Sequence, residues 1–240
     1  MHRLLNPSVP VHVSADRVAG VRCAQVAGAD VAVLDDAFQH RAIRAHVYVA
    51  LVAAEEWEEA PRLLPRGPWR EPLEALGRAT VVVATRKIAS GTDVDRLSER
   101  LAALVPAVPR AVAHIGVSAL ARYKGADTGL GEPFSPRGFR CALGLAGVAR
   151  PDAVRQQLQQ EGVVIQNWQA FPDHHRYSQA DLVRIARVAG PGPLVATLKD
   201  AVKLGPALAS ELDIYVPLQR VVWESGSEHV DCLLARLSGE

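Results

Sequence analysis

The spacing of apolar and polar positions predicts an alternation of strands and helices along the first half of the chain. Uninterrupted apolar runs are typical of strands buried in a parallel sheet. Such runs occur at residues 31–34, 46–54, 80–85 and 111–119. Before them, Val9, Val11 and Val13 alternate with polar or small residues and predict a brief strand at residues 9–13, which an amphipathic helix follows at residues 16–29. A second amphipathic helix is predicted between the last two runs, at residues 93–104. Strands that alternate with helices indicate βαβ units, and hence an α/β fold with a parallel sheet.

Residues 124–138 are rich in Gly, Pro and Ser and interrupt the alternation of predicted strands and helices, which resumes after them. Strands are predicted at residues 140–145, 163–165, 194–197 and 215–222, and helices at 151–161, 179–189 and 228–237. We interpret residues 124–138 as a linker between two domains. Residues 1–123 would form the first domain, and residues 139–240 a second, smaller α/β domain.

Composition excludes several classes of protein. The chain has 240 residues, of which 49% are hydrophobic and 22% charged, a balance typical of globular proteins. Its 27 basic and 26 acidic residues nearly cancel, so no global field favours nucleic acid as a partner. The three cysteines are far apart, which suits a reducing compartment. No apolar run approaches the roughly 18 residues of a spanning helix, and no signal peptide pattern begins the chain, so we expect a cytosolic protein.

Candidate chemistry begins where the first apolar run ends. Asp35 and Asp36 follow residues 31–34 directly, and Gln39 and His40 come next. Ligands bind at the carboxyl ends of parallel strands, and paired carboxylates supply the oxygen ligands that Mg²⁺ prefers. The alternative is a loop in which the acidic pair serves only to cap a helix.

A second candidate is the Pro-rich stretch at residues 63–72, which presents Arg66, Arg70 and Glu71. Three prolines and a glycine stiffen this stretch, and paired arginines on a rigid loop bind phosphate or carboxylate well. The alternative is a stiff surface connection without a ligand.

A third candidate lies just before the helix predicted at residues 179–189. Asp173, His174 and His175 form an Asp-His-His sequence there, in which an Asp–His pair can act as general base or metal ligand. One alternative is a capping aspartate with solvent-exposed histidines. Another is a DHH-type phosphoesterase, which needs a Gly-rich, His-containing stretch that the sequence lacks.

A fourth candidate, at residues 197–204, directly follows a predicted strand and carries Lys199, Asp200 and Lys203. Two lysines one helical turn apart can meet an anionic ligand. They can equally form a solvated helix face.

Taken together and in this order, these stretches resemble one family, the tetraacyldisaccharide 4′-kinases, or lipid A 4′-kinases, of Gram-negative bacteria. The resemblance rests on DDAFQH, LLPRGPWREP, GVARP, FPDHHRYSQADL and LKDAVKL. It implies a P-loop-kinase-like core that transfers the γ-phosphate of ATP to the 4′-hydroxyl of an acylated glucosamine disaccharide, a lipid A precursor. It also implies Mg²⁺ as cofactor and work at the cytoplasmic face of the inner membrane, whose surface would be a partner.

The resemblance assigns a role to each candidate side chain. It implies Mg²⁺ ligands at Asp35, Asp36 and Glu71. Gln39 and His40 match the polar pair beside metal and substrate, and Arg70 matches a phosphate-binding arginine. His174, next to Asp173, matches the histidine that supports the catalytic base.

Two family features have no counterpart in the sequence. Family members carry a Gly-rich phosphate loop ending in Lys-Ser/Thr, and a catalytic aspartate in a Gly-Asp-Glu-Pro setting. Neither pattern occurs here. We therefore expect an N-terminally truncated kinase core that alone transfers phosphate poorly, with a separate N-terminal P-loop polypeptide as a candidate partner. The alternative is a non-catalytic remnant that still binds nucleotide or glycolipid.

Overall fold

The computed structural model describes residues 1–58, 62–67 and 69–238. Its helices are α1 (His2–Leu5), α2 (Arg17–Val26), α3 (Gly91–Leu104), α4 (Pro151–Gln160), α5 (Gln179–Ala189), α6 (Leu198–Glu211) and α7 (Ser227–Ser238). Its strands are β1 (Val49–Ala53), β2 (Val81–Arg86), β3 (Arg110–Gly125), β4 (Gly129–Leu130), β5 (Arg140–Ala146), β6 (Val164–Ala170), β7 (Leu194–Ala196) and β8 (Ile214–Ser225). Short 3-10 helices span Ala54–Glu56 and Leu73–Arg78.

The chain forms two compact units. We call residues 10–115 with 221–240 the Asp36 unit, and residues 1–9 with 116–220 the His174 unit. The predicted domain division at residues 124–138 stays a prediction. In the structure those residues include the end of β3 and the short strand β4, which pairs with it in antiparallel fashion.

The Asp36 unit is built on the strand order β1-β2-β3, in which each neighbouring pair is parallel. Helix α3 begins at a capping box, in which Ser90 and Asp93 satisfy each other's backbone N–H groups. The helix then buries one face, including Leu97 and Leu101, against β2. The apolar spacing that predicts this helix therefore also specifies what it packs against.

The His174 unit contains the strand order β3-β8-β7-β5-β6. Strand β5 pairs in parallel with β6 on one side and with β7 on the other. From β5 the chain passes through α4 to β6 on one side, whereas from β7 it passes through α6 to β8 on the other. Strands β5 and β7 therefore flank a topological switch point, where α/β sheets bind ligands. The loops that leave it begin at Gly147 and Thr197.

The predicted fold class, α/β with mostly parallel strands, is confirmed. The structure contains a strand or helix at each predicted position with two exceptions among those named above, residues 9–13 and 31–34. Neither range forms a strand, and Val13 and Val33 are 97% and 94% exposed. The strand prediction for them is therefore wrong. An apolar run becomes a strand only where its backbone N–H and C=O groups pair with a neighbouring strand.

Within the described ranges, no helix combines the length and the apolar character needed to cross a bilayer.

Candidate functional site

Five of the predicted site residues line one cleft of about 1140 Å³ in the Asp36 unit. They are Asp35, Asp36, Gln39, His40 and Glu71. Apolar side chains of residues 31–34 and of the outer strand β1 line the same cleft. Although residues 31–34 are not a strand, the polar pairs that follow them are gathered at one place.

Asp36 has an unusual backbone and an arginine partner. Its φ angle is 48°, in the left-handed region that non-glycine residues seldom adopt. The Arg70 guanidinium donates to its carboxylate from 3.2 Å, and Arg17 donates to its main-chain carbonyl from 3.4 Å. Both partners of the Asp36–Arg70 pair are more than half exposed, so the pair itself contributes little to stability.

Glu71, the next residue after Arg70, is held more firmly. Arg78 donates to its Oε2 atom from 2.6 Å, and the guanidinium of Arg41 lies 3.5 Å from its Oε1 atom. The hydrogen bond from Arg78 is the main reason that the pKa of Glu71 lies below its usual value. Arg78 in turn lies over the ring of Phe38, 4.8 Å from the ring centroid. Glu71 therefore carries a negative charge, fixed by two arginines.

The fit to Mg²⁺ depends on the donor chemistry. Within the described part of the chain, no three His, Cys, Asp or Glu side chains are grouped closely enough to hold a metal ion by themselves. Mg²⁺ does not need such a cage, since it commonly binds through one or two carboxylates, several waters and substrate phosphates. Asp35 and Asp36, two adjacent exposed carboxylates in a cleft, have the required oxygen donors.

The His174 unit presents the other predicted pair, on the loop that follows β6. The Oδ1 atom of Asp173 accepts a hydrogen bond from the main-chain N–H of His174 (2.9 Å), and its Oδ2 atom lies 3.6 Å from the His174 ring. The ammonium group of Lys199 lies 3.6 Å from the same carboxylate. His174 is 75% exposed at its side chain and has a φ angle of 58°. Asp173 and His174 are thus in contact, and the imidazole is open to a reactant.

His175 differs from its neighbour. Its Nε2 atom lies 3.1 Å from Asp181, and its ring packs between Phe171 and Tyr177, with centroids 4.8 and 5.0 Å away. A histidine held in this way is a structural part of the loop.

In the fourth candidate stretch, residues 197–204, the aspartate is not accessible to a ligand. Asp200 is fully buried, and its Oδ2 atom accepts hydrogen bonds from the Gly147 main chain (2.9 Å) and the Thr197 hydroxyl (2.6 Å). Gly147 and Tyr177 lie beside it. Neither was assigned a role of its own from the sequence, although the GVARP turn begins at Gly147, two residues after the strand predicted at 140–145.

One backbone feature is shared by the two candidate regions. Among the residues that the structure describes, the non-glycine residues with positive φ are Asp36 and His174. Such conformations are sparsely populated and cluster at functional sites, where surrounding contacts hold them.

Comparison with known proteins gives consistent results. The sequence profile of the family described as tetraacyldisaccharide-1-P 4′-kinase matches residues 1–237. A tetraacyldisaccharide 4′-kinase of Anaeromyxobacter dehalogenans strain 2CP-1 is 38% identical over 208 residues, which cover 85% of this chain and 54% of the relative. One of Gluconacetobacter diazotrophicus is 34% identical over 212 residues, with 87% and 58% covered. The chain thus spans about half the length of the curated relatives it matches.

A solved structure shares the fold. The crystal structure of the "apo" form of LpxK from Aquifex aeolicus in complex with ATP aligns with a TM-score of 0.56 and 22% identity. The alignment covers 84% of this chain and 56% of that one.

Proposed function

Because the chain belongs to the tetraacyldisaccharide-1-P 4′-kinase family, we propose that it serves in lipid A biosynthesis as part of a tetraacyldisaccharide 4′-kinase. The reaction moves the γ-phosphoryl group of ATP to the 4′-hydroxyl of a tetraacyl glucosamine disaccharide 1-phosphate. The bond from the γ-phosphorus to the β,γ-bridging oxygen breaks, a bond to the 4′-oxygen forms, and the hydroxyl proton passes to a base. Phosphoryl transfer of this kind depends mainly on positioning and on charge neutralisation.

In this proposal the cleft of the Asp36 unit binds the charged reactants. Asp35 and Asp36 would hold Mg²⁺, with Glu71 as a further carboxylate, and the ion would neutralise charge on the phosphates. Gln39 and His40, which line the same cleft, orient the sugar. Arg70 already contacts a carboxylate of the cleft, and it can exchange that partner for a phosphate oxygen of similar geometry.

The loop of the His174 unit has a separate role in this proposal. Asp173 accepts from the His174 main chain and lies close to its ring. A carboxylate next to an imidazole orients the ring. We assign to His174 the support of the catalytic base.

The single observation that carries the proposal is the left-handed backbone at Asp36 and at His174. Each side chain is thereby presented in a direction that an ordinary loop conformation would not give. The fold holds these two rare conformations at the residues to which the family resemblance assigns chemistry. This coincidence supports a functional role for each of the two loops over a chance conformation.

The printed sequence carries no Gly-rich loop ending in Lys-Ser/Thr. In P-loop kinases that loop makes most of the contacts with the β- and γ-phosphates of ATP. We therefore propose that turnover requires a phosphate-loop segment in addition to residues 1–240, joined to this chain or supplied as a separate polypeptide. Its substrate carries acyl chains, so we place the reaction at the inner-membrane surface, on the cytoplasmic side.

The test is a transfer assay with radiolabelled ATP and the acylated disaccharide. The chain is assayed alone and joined to the part of the Anaeromyxobacter relative that it does not cover. We expect Mg²⁺-dependent transfer only from the joined protein, and its loss in Asp36→Ala. Asp95→Ala, which changes an exposed aspartate on α3, is the matched control and should retain activity.

Near-normal rates in Asp36→Ala would refute the proposed metal site. An inactive joined protein that still shows a thermal shift with Mg²⁺ and ATP would favour the alternative, a binding module without catalysis.

A further inference from the structure

The inference concerns Asp200, at the first turn of α6. Among the residues that the structure describes, it is the only carboxylate in the buried core, with no measurable exposure. Its Oδ2 atom accepts hydrogen bonds from the Gly147 main chain and the Thr197 hydroxyl. It thereby joins the loops that follow β5 and β7, on either side of the switch point. A buried carboxylate is costly, and its second oxygen also requires a donor.

A candidate for that donor lies beside Gly147. A Cβ atom at this position would lie 2.8 Å from the Oδ1 atom of Asp200 and 3.2 Å from the phenol oxygen of Tyr177. The two oxygens therefore converge on one glycine. Neither oxygen makes a well-aligned hydrogen bond within the described part of the chain, so each still needs a partner. A phenol O–H and a carboxylate oxygen are complementary, and only a glycine leaves room for both.

The protonation state of Tyr177 agrees with this pairing. Burial is the main cause that raises the pKa of Tyr177, and the neighbouring Asp200 carboxylate adds to it. The phenol therefore keeps its proton at neutral pH, and it remains a donor.

Tyr177 belongs to the loop that presents His174. Its ring packs against Phe171 and His175, with centroid distances of 5.0 Å to each. Phe171 begins the loop and is itself buried, with its main-chain N–H bound to the carbonyl of Ala146 at the end of β5. Tyr177 therefore contacts one residue before the exposed turn at Asp173 and His174 and one residue after it.

We propose that Asp200 and Tyr177 are positioning residues that hold the loop at residues 171–178 against the first turn of α6 and so fix the left-handed conformation of His174. The pair does not touch a reactant. Its kinetic consequence rests on the proposed function, because it acts through His174, whereas its structural consequence does not.

The first measurement is amide hydrogen exchange on the 240-residue chain. The amides of His174 and His175 are suitable reporters, since they donate to the Asp173 side chain and the Pro172 carbonyl. In Tyr177→Phe, which removes only the hydroxyl, we expect both to exchange about five- to tenfold faster, the factor that one hydrogen bond contributes. Asp200→Asn should have the same effect. Tyr123→Phe, in the same apolar cluster, should leave these amides unchanged.

Unchanged exchange at His174 and His175 in Tyr177→Phe would overturn the proposal, even if Asp200→Asn fails to fold. The second measurement is kinetic and uses the joined kinase described above. Tyr177→Phe should lower kcat several-fold with KM for ATP unchanged, and it should have no further effect in a His174→Ala background. If Tyr177 only stabilised the fold, Tyr177→Phe would lower kcat by the same factor with His174 present and in the His174→Ala background. That result would also overturn the proposal.

The two measurements separate this inference from the proposed function. Suppose that His174→Ala retains full activity while Tyr177→Phe still accelerates amide hydrogen exchange in the loop. The positioning role of Asp200 and Tyr177 is then supported, and the catalytic role of His174 is refuted.

Discussion

The ammonium group of Lys199 lies 3.6 Å from the carboxylate of Asp173, so the first turn of α6 contacts the loop that bears His174. The next residue, Asp200, approaches the same loop from the buried side, at Tyr177. Two adjacent residues thus contact the loop in different ways. One contact is exposed and ionic, and the other is buried.

The ionic contact should contribute little to stability. Both side chains are more than a third exposed, at 38% and 39%, so water screens their attraction. We expect Lys199→Met to lower the free energy of unfolding by less than about 1 kcal/mol. The difference should vanish at about 1 M salt, where the screening length falls to about 3 Å. Urea unfolding at low and high salt measures this, with Lys124→Met as the control for loss of an exposed lysine. A larger loss that persists in salt would contradict it.

Asp181 makes the other end of the loop sensitive to acid. The main-chain N–H and the hydroxyl of Ser178, together with His175, donate to its carboxylate and lower its pKa from 3.8 to about 2. Because the folded-state pKa is depressed, the stabilisation is complete above pH 3.8. It is lost as the pH falls from there towards about 2.

We therefore expect Asp181→Asn to be less stable than the unmodified chain at pH 6, and the difference to shrink through that acidic window. Thermal unfolding followed by circular dichroism between pH 6 and pH 2 tests this. A difference that stays constant over the whole range would show that the carboxylate charge is not the cause.

Local pattern was sufficient to predict most of the fold. The apolar spacing of Leu97 and Leu101 and the cap at Ser178 each specify a helix through contacts within one or two turns. Residues 31–34 show the limit of such reasoning. Their apolar run is as clear as that of β2, yet only β2 has strands on both sides to pair with. Strand formation depends on partners distant in the sequence, which a local pattern does not contain.

In the candidate site, too, some features follow from the local sequence and others depend on residues distant in the sequence. Residue types and spacing were enough to select Asp36 and His174 as candidates. The contact between Asp36 and Arg70 joins residues 34 positions apart, and it follows from the path of the loop. The burial of Asp200 was equally beyond the sequence, since a Lys-Asp pair at a helix start is ordinarily exposed.

The carboxylate of Glu55 should contribute measurably to the free energy of unfolding. Its Oε1 atom accepts three hydrogen bonds, from the main-chain N–H groups of Lys87, Ile88 and Ala89, at 2.6 to 2.9 Å. Partial burial raises its pKa, but these three donors together lower it below the usual 4.5. The carboxylate thus connects the end of β1 to the loop after β2.

Glu55→Ala leaves three N–H groups without their acceptor, so we expect a loss of about 2 kcal/mol in the free energy of unfolding. Glu56→Ala, which removes the exposed neighbouring carboxylate, should change it by less than about 0.5 kcal/mol. Urea unfolding at pH 7 compares the two. The contribution of Glu55 should be complete above pH 4.5 and decline as the pH falls through its lower folded-state pKa. Equal losses in the two variants would contradict the assignment.

The outer strand of the Asp36 unit should make the chain prone to self-association. Strand β1 is at the end of the strand order, and Val49 and Leu51 expose 47% and 67% of their surface beside the apolar cleft. An exposed apolar edge strand is a template for pairing with another chain, and a lysine on such a strand opposes it. We expect Leu51→Lys to reduce concentration-dependent association in sedimentation velocity. Val183→Lys, at a similarly exposed valine on α5 (60%), should not. If both variants associate as the unmodified chain does, the edge of β1 is not the contact surface.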